Sequence, residues 1–86
     1  MELIIDGKNM TARRAAHEEI AGKLNFPAYY GHNLDALYDM LSTFEGAVRL
    51  VNTAEMLNTL QGYGCNLLKT FYDAMEANGR FVFAAA

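Results

Sequence analysis

Two aspartates four residues apart, Asp35 and Asp39, stand in a stretch that holds no lysine or arginine between Lys23 and Arg49. With Glu45 they lack a cationic partner nearby in sequence. Their compensating charge must come from a distant segment, from solvent or from another molecule. Aromatic side chains surround them, with Tyr29 and Tyr30 just before, Tyr38 between and Phe44 just after. Flat apolar area beside concentrated negative charge suits a surface that captures a basic partner, and tyrosine adds few rotors and a hydroxyl. Asp35 alone says little, because a carboxylate in a helix's first turn is favoured by the free amides and the dipole there. Asp39 lies further in, and a like-charged i, i+4 pair costs a few tenths of a kcal/mol in an isolated helix. A solvated face accounts for the charges by themselves; the adjoining aromatics favour a binding face.

The other reactive side chains form no known catalytic pattern. His17 lies beside the apolar face of a helix with no carboxylate at catalytic spacing, and is expected to be a satisfied structural residue. His32 adjoins Asn33 and Asp35 in a loop, without a serine or cysteine nucleophile or a metal-ligand pattern nearby. Cys65 is the single cysteine, so no intrachain disulfide or Cys/His metal box exists. It is expected to be a buried or incidental thiol near a helix start. A small enzyme would need His32, Asp35 and Cys65 to converge in one concave pocket. No catalytic residue, metal or cofactor is expected.

The elements that position these residues follow from apolar periodicity and turn chemistry. Residues 2–6 carry Leu3-Ile4-Ile5 and stop at Asp6-Gly7, a short strand expected to be buried. Thr11 is a plausible N-cap for a helix to Leu24, with Ala16, Ile20 and Leu24 on one face. Asn25-Phe26-Pro27 ends it, and Gly31 bends the loop that follows. Asn33 caps a second helix to about Phe44, on which Leu34, Leu37, Leu41 and Phe44 form the apolar stripe. At about 100° per residue, Asp35 and Asp39 fall roughly 40° apart on the wetter side. Gly46 ends that unit, and residues 47–51 alternate as a second strand with Arg49 expected at an edge or strand end. Asn52 and Glu55 resemble a variant capping box opening a third helix that stops at Gly62 and Gly64. Leu68, Phe71, Tyr72 and Met75 mark a fourth helix, with Asn78-Gly79 as a left-handed stop. Residues 80–84 form the last strand. The order β-α-α-β-α-α-β favours an α/β fold, a three-stranded parallel sheet packed with four helices.

Eighty-six residues suit one domain, residues 1–86, with one apolar core. Ten acidic against seven basic residues give a formal charge of −3, which disfavours nucleic acid and anionic membrane as partners and favours a basic protein. No apolar run reaches the roughly 18 residues of a spanning helix, and the start lacks a secretory signal, so a cytoplasmic location is expected.

Residues 29–39, Tyr29-Tyr30-Gly31-His32-Asn33-Leu34-Asp35-Ala36-Leu37-Tyr38-Asp39, closely resemble the core motif of the barstar family, small cytoplasmic protein inhibitors of secreted ribonucleases. Ile5-Asp6-Gly7, His17 and Phe71-Tyr72-Asp73-Ala74 also resemble family features, so the likeness spans essentially the whole chain. The resemblance implies that the helix from Asn33 and the loop before it enter a nuclease active site and block RNA. Asp39 would occupy the pocket of a substrate phosphate, and Tyr29 would pack on the catalytic histidine or the base-binding surface. Asp35 would accept hydrogen bonds, and Gly31, Asn33, Leu34 and Ala36 would give close backbone approach. Tyr38, Thr43 and Phe44 fall in the contact region, and Asp73 would add a peripheral charge. The expected partner is thus a basic secreted-type ribonuclease, met by a chain that is monomeric when free. The alternative is a barstar-like module that binds a basic protein other than a ribonuclease. Tyr38 and Phe44 replace tryptophans of the founding member, Thr43 a glycine, His32 an acid, and Ala77 a further acid.

Overall fold

Every strand-to-strand connection in this chain runs through helices, and parallel pairing is the result. The computed structural model describes residues 2–86. Its elements are β1 (Glu2–Asp6), α1 (Arg13–Leu24), α2 (Leu34–Leu41), β2 (Gly46–Val51), α3 (Thr53–Leu60), α4 (Gly62–Ala77) and β3 (Phe81–Ala85), with a 3-10 turn at Gly7–Asn9. The strands form one sheet in the order β1-β2-β3, both pairs parallel, with Ile5 opposite Leu50 and Val48 opposite Phe83. The expected order of elements and sheet is what the structure shows.

Successive side chains of a strand alternate between faces, and here only one face is covered. Ile5, Val48, Leu50, Phe81 and Phe83 are buried, whereas Ile4 and Val82 are about half exposed, at 49% and 56%. β1 is therefore not the buried strand that its apolar run implied. Arg49 is also placed differently from expectation: it lies mid-way along the central strand, on the open face, 3.4 Å from Glu2. Because that face meets solvent, a charge there needs no strand end.

The helices build the core from the covered side. Ala16, Ile20 and Leu24 of α1 are all buried, as their four-residue repeat implies, together with Leu37 and Leu41 of α2, Met56 of α3 and Leu67, Phe71 and Ala74 of α4. Phe71 stacks on Phe83 with ring centroids 4.4 Å apart.

Several boundaries differ from expectation because side chains are used elsewhere. Ala12, not Thr11, occupies the N-cap of α1 and gives no side-chain cap. Asn52 does precede α3 but does not cap it; its amide donates instead to the Asp6 carboxylate at 2.9 Å, joining the ends of β1 and β2. The break between α3 and α4 is Gln61 at φ 53°, while Gly62 and Gly64 lie inside the first turn of α4. Gly64 packs tightly there, since a Cβ would lie 2.8 Å from the Met56 sulfur and push that side chain aside. Asn78 is extended, at φ −121°, rather than left-handed. Its side chain reaches the chain after α2, donating to the carbonyls of Leu41 at 3.0 Å and Phe44 at 2.8 Å. α2 accordingly stops at Leu41, three residues before the expected Phe44. Gly46, at φ +140°, then turns the chain into β2 in a conformation that other residues rarely adopt. No helix among the described residues is long and apolar enough to cross a membrane.

Candidate functional site

α2 projects its carboxylates because its other face is spoken for. Leu37 and Leu41 are fully buried, so Asp35 and Asp39, one turn apart, face outward and are exposed. Asn33 caps the helix as expected, its side-chain oxygen accepting from the Ala36 amide at 2.8 Å while its amide donates to the Gly31 carbonyl at 3.2 Å. Leu34 and Ala36 are half-buried on the flank. Gly31 is exposed, and a Cβ there would press on the Ala36 Cβ at 3.3 Å.

The loop before α2 sorts its two tyrosines to opposite sides. Tyr29 is 82% exposed, whereas Tyr30 is buried. The positive φ of this loop falls on His32, at 55°, and not on Gly31. The His32 ring holds that turn: its Nδ1–H donates to the Tyr30 carbonyl at 2.8 Å, which leaves Nε2 free.

Beneath the loop lies His17, the buried polar residue of the core. Its Nδ1 pairs with the Tyr30 hydroxyl and its Nε2 with the Tyr63 hydroxyl, both at 2.7 Å. It is thus the satisfied structural histidine that its sequence context implied. Burial drives its pKa down to about 4 from the ordinary 6.5, with the neighbouring His32 acting in the same direction, so the imidazole is neutral at physiological pH. Burial pushes the Tyr30 phenol up, and Tyr63 adds to that. The cluster is uncharged, and both ring nitrogens of His17 are hydrogen-bonded.

The structure separates the three acids that the sequence grouped. Glu45 meets Arg80, with Nη1 to Oε2 at 3.2 Å, a partner from a distant segment. Asp35 and Asp39 take part in none of the ion pairs among the described residues. Tyr38 is 37% exposed and, with Asp73, Glu76 and Ala77 of α4, lines a concavity of about 470 Å³ between α2 and α4. Asp73 is exposed and already held by Lys69 at 2.8 Å. Thr43 is exposed, and Phe44 is half-buried with its ring edge-on to Phe81 at 5.9 Å.

A second concavity, of about 400 Å³, opens at the amino end of α2 and is lined by Arg13, His32, Asn33, Leu34, Asp35 and Tyr63. His32 and Asp35 meet there but Cys65 does not, so the three groups that an enzyme would need are dispersed. Cys65 lies in the first turn of α4, near a helix start as expected, and of the two alternatives, buried or incidental, its exposure leaves the second. No group of three or more His, Cys, Asp or Glu able to hold a metal occurs among the described residues.

Three residues of this region escaped the sequence. Asn78 read as a helix stop and is a clamp on α2. Tyr63 had no neighbour in sequence to suggest its bond to His17. Arg13 carried a signal: the i, i+4 rule pairs Arg14 with Glu18, at 3.3 Å in the structure, but offers Arg13 only His17.

A one-sided parallel sheet whose short helix displays unpaired carboxylates behind an aromatic loop defines a small α/β protein, with no catalytic constellation at that helix. The family model described as barstar (barnase inhibitor) matches residues 1–84, and the chain belongs to this family. It is 35% identical over 78 residues to a Bacillus subtilis (strain 168) protein named "Putative ribonuclease inhibitor YrdF", covering 87% of this chain and 86% of that protein.

Proposed function

We propose that this chain is a stoichiometric protein inhibitor of a small basic ribonuclease, whose active site it blocks with α2 and the loop before it. The observation that carries the reading is the pair Asp35 and Asp39 on the segment that matches the family motif, exposed and without an ion-pair partner among the described residues. An enzyme that grips RNA needs a basic cleft, because the phosphate backbone dominates its affinity. A carboxylate with no partner at home loses none on entering that cleft and gains charge-assisted hydrogen bonds there. Asp39 takes the place of a phosphate, Tyr29 supplies exposed ring area beside it, and Asp35 accepts further donors. Tyr38, Thr43, Phe44 and Asp73 form the far rim, and Gly31, Asn33, Leu34 and Ala36 set the backbone close to the partner. Opposite fields also speed the encounter.

Mixing the purified chain with a panel of small secreted ribonucleases, and following RNA cleavage at increasing inhibitor ratio, tests the reading. One-to-one loss of cleavage for at least one nuclease is expected, and Asp39→Ala should relieve it. If no nuclease of the panel is bound or inhibited, the reading fails. Binding of one with cleavage intact would favour the second reading, a module that masks a basic protein surface.

A further inference from the structure

The face described so far is acidic, yet a cation outside the ion pairs, Arg13, stands at its edge. Arg13 opens α1, a position where the helix dipole disfavours positive charge. It forms no ion pair among the described residues, and its guanidinium carbon lies 4.5 Å above the centre of the Tyr63 ring. Both residues line the concavity at the amino end of α2, beside Asp35.

Hydrogen-bond accounting fixes what Tyr63 offers there. Among the described residues, the hydroxyl of buried Tyr30 has no polar partner other than His17 Nδ1. Were it to accept from that nitrogen, its own proton would be buried without an acceptor and would forfeit its solvation with nothing in return. Tyr30 therefore donates to Nδ1, and the neutral imidazole carries its proton on Nε2 and donates it to Tyr63. The Tyr63 hydroxyl proton is left over, on a half-exposed side chain that lines the concavity. Arg13 and Tyr63 thus place unused donors next to one another, on a ring that buried His17 holds still.

We propose that Arg13 and Tyr63 form a carboxylate-binding pocket, so that the partner meeting Asp35 and Asp39 with basic groups also carries an aspartate or glutamate beside them. The inference rests on the proposed function and sharpens it: the cognate cleft is not uniformly basic. Asp35 on the same wall keeps a free anion out, while a partner that pairs its acid with a neighbouring base satisfies both walls at once. Such a two-signed match also rejects clefts that carry only positive charge, through repulsion from Arg13.

The sign of one substitution decides it. Arg13 is exposed, so its variants should fold, as circular dichroism can check. With any nuclease of the panel that the native chain binds, Arg13→Ala should raise Kd about tenfold and Arg13→Glu considerably more. Arg13→Lys should restore only part, since an ammonium lacks the paired N–H groups that match a carboxylate. Tyr63→Phe, read well below its own unfolding transition because it strips His17 of an acceptor, should raise Kd about threefold. Unchanged or tighter binding by Arg13→Ala, as expected against a uniformly basic cleft, overturns the pocket while Asp39→Ala still reports on the main face. A panel of which no member is bound overturns the ribonuclease reading and the pocket together.

Discussion

Two kinds of carboxylate share this surface. Glu2, Glu18, Glu19, Glu45 and Asp73 each sit 2.8–3.4 Å from an arginine or lysine, whereas Asp35 and Asp39 on α2 form no ion pair among the described residues. Most of the paired side chains are well exposed, and such pairs contribute about 0–1 kcal/mol each, so pairing is not where the fold finds its stability. The difference lies in availability. What holds α2 in place is neutral: the Asn33 cap at one end, the Asn78 clamp at the other, and His17 with its two tyrosines underneath. Neutral hydrogen bonds fix a ridge of charge without tying either aspartate into an ion pair among the described residues.

The neutrality of that support is the first thing to break. His17 has its pKa lowered to about 4 in the fold, against 6.5 when unfolded. Between those values the unfolded chain takes up a proton that the native chain refuses, so stability is full above pH 6.5 and falls as pH drops toward 4. The loss approaches about 3 kcal/mol. Denaturant titrations at pH 7 and 4.5 should show most of it, and His17→Gln, less stable at pH 7, should show a much flatter dependence. An equal fall in native and variant would mean that other groups carry it.

The contrast between paired and unpaired acids is sharpened at the partner. Asp39→Ala should weaken binding to an inhibited nuclease by roughly 2 kcal/mol or more, whereas Glu45→Ala, already engaged by Arg80, should change it by less than about 0.5 kcal/mol. The founding complex of this family is itself one source of that hot-spot pattern. Comparable losses for the two would erase the distinction.

Next in size is the clamp. Asn78→Ala leaves the Leu41 and Phe44 carbonyls without their side-chain donor, and should lower stability by about 1–2 kcal/mol. Asn78→Asp should do worse, because it turns an anion toward two carbonyl oxygens. A fully stable Asn78→Asp chain would show that the end of α2 is held by something else.

The sequence carried the fold because local rules and tertiary outcome agree along most of it. The Ala16-Ile20-Leu24 repeat, the Leu37 and Leu41 stripe and the Asn33 cap each state where a face or an end must lie. It went astray where a side chain serves a distant segment. Asn52 and Asn78 have the residue type of a cap and a stop, but the first binds Asp6 and the second binds α2. Arg49 was misplaced because alternation cannot tell that the second face of a parallel sheet stays open. In the candidate site, the residues contiguous along α2 were legible, and the Glu45 to Arg80 pair was not, since 35 positions separate the partners. The Arg13 and Tyr63 concavity was hidden for the same reason: it forms only when α1 and α4 are brought to one end of α2.

The smallest expected effect tests whether the unpaired acids are kept for binding rather than for folding. At i, i+4 on an exposed helix, Asp35 and Asp39 repel by about 0.2–0.5 kcal/mol, but Asp35 recovers a similar amount from the first-turn amides and Asp39 does not. Neutralising each should therefore act with opposite leanings. Asp39→Asn should raise the unfolding free energy by a few tenths of a kcal/mol, and Asp35→Asn should leave it level or slightly lower. Both differences should shrink in 1 M salt, where screening shortens the reach of surface charge to about 3 Å. An Asp39→Asn chain that is less stable by more than about 0.5 kcal/mol would mean that the fold itself uses this carboxylate. The expected gain, paired with weaker binding in the same variant, would identify Asp39 as a residue held at a small loss to the free chain and recovered only in the complex.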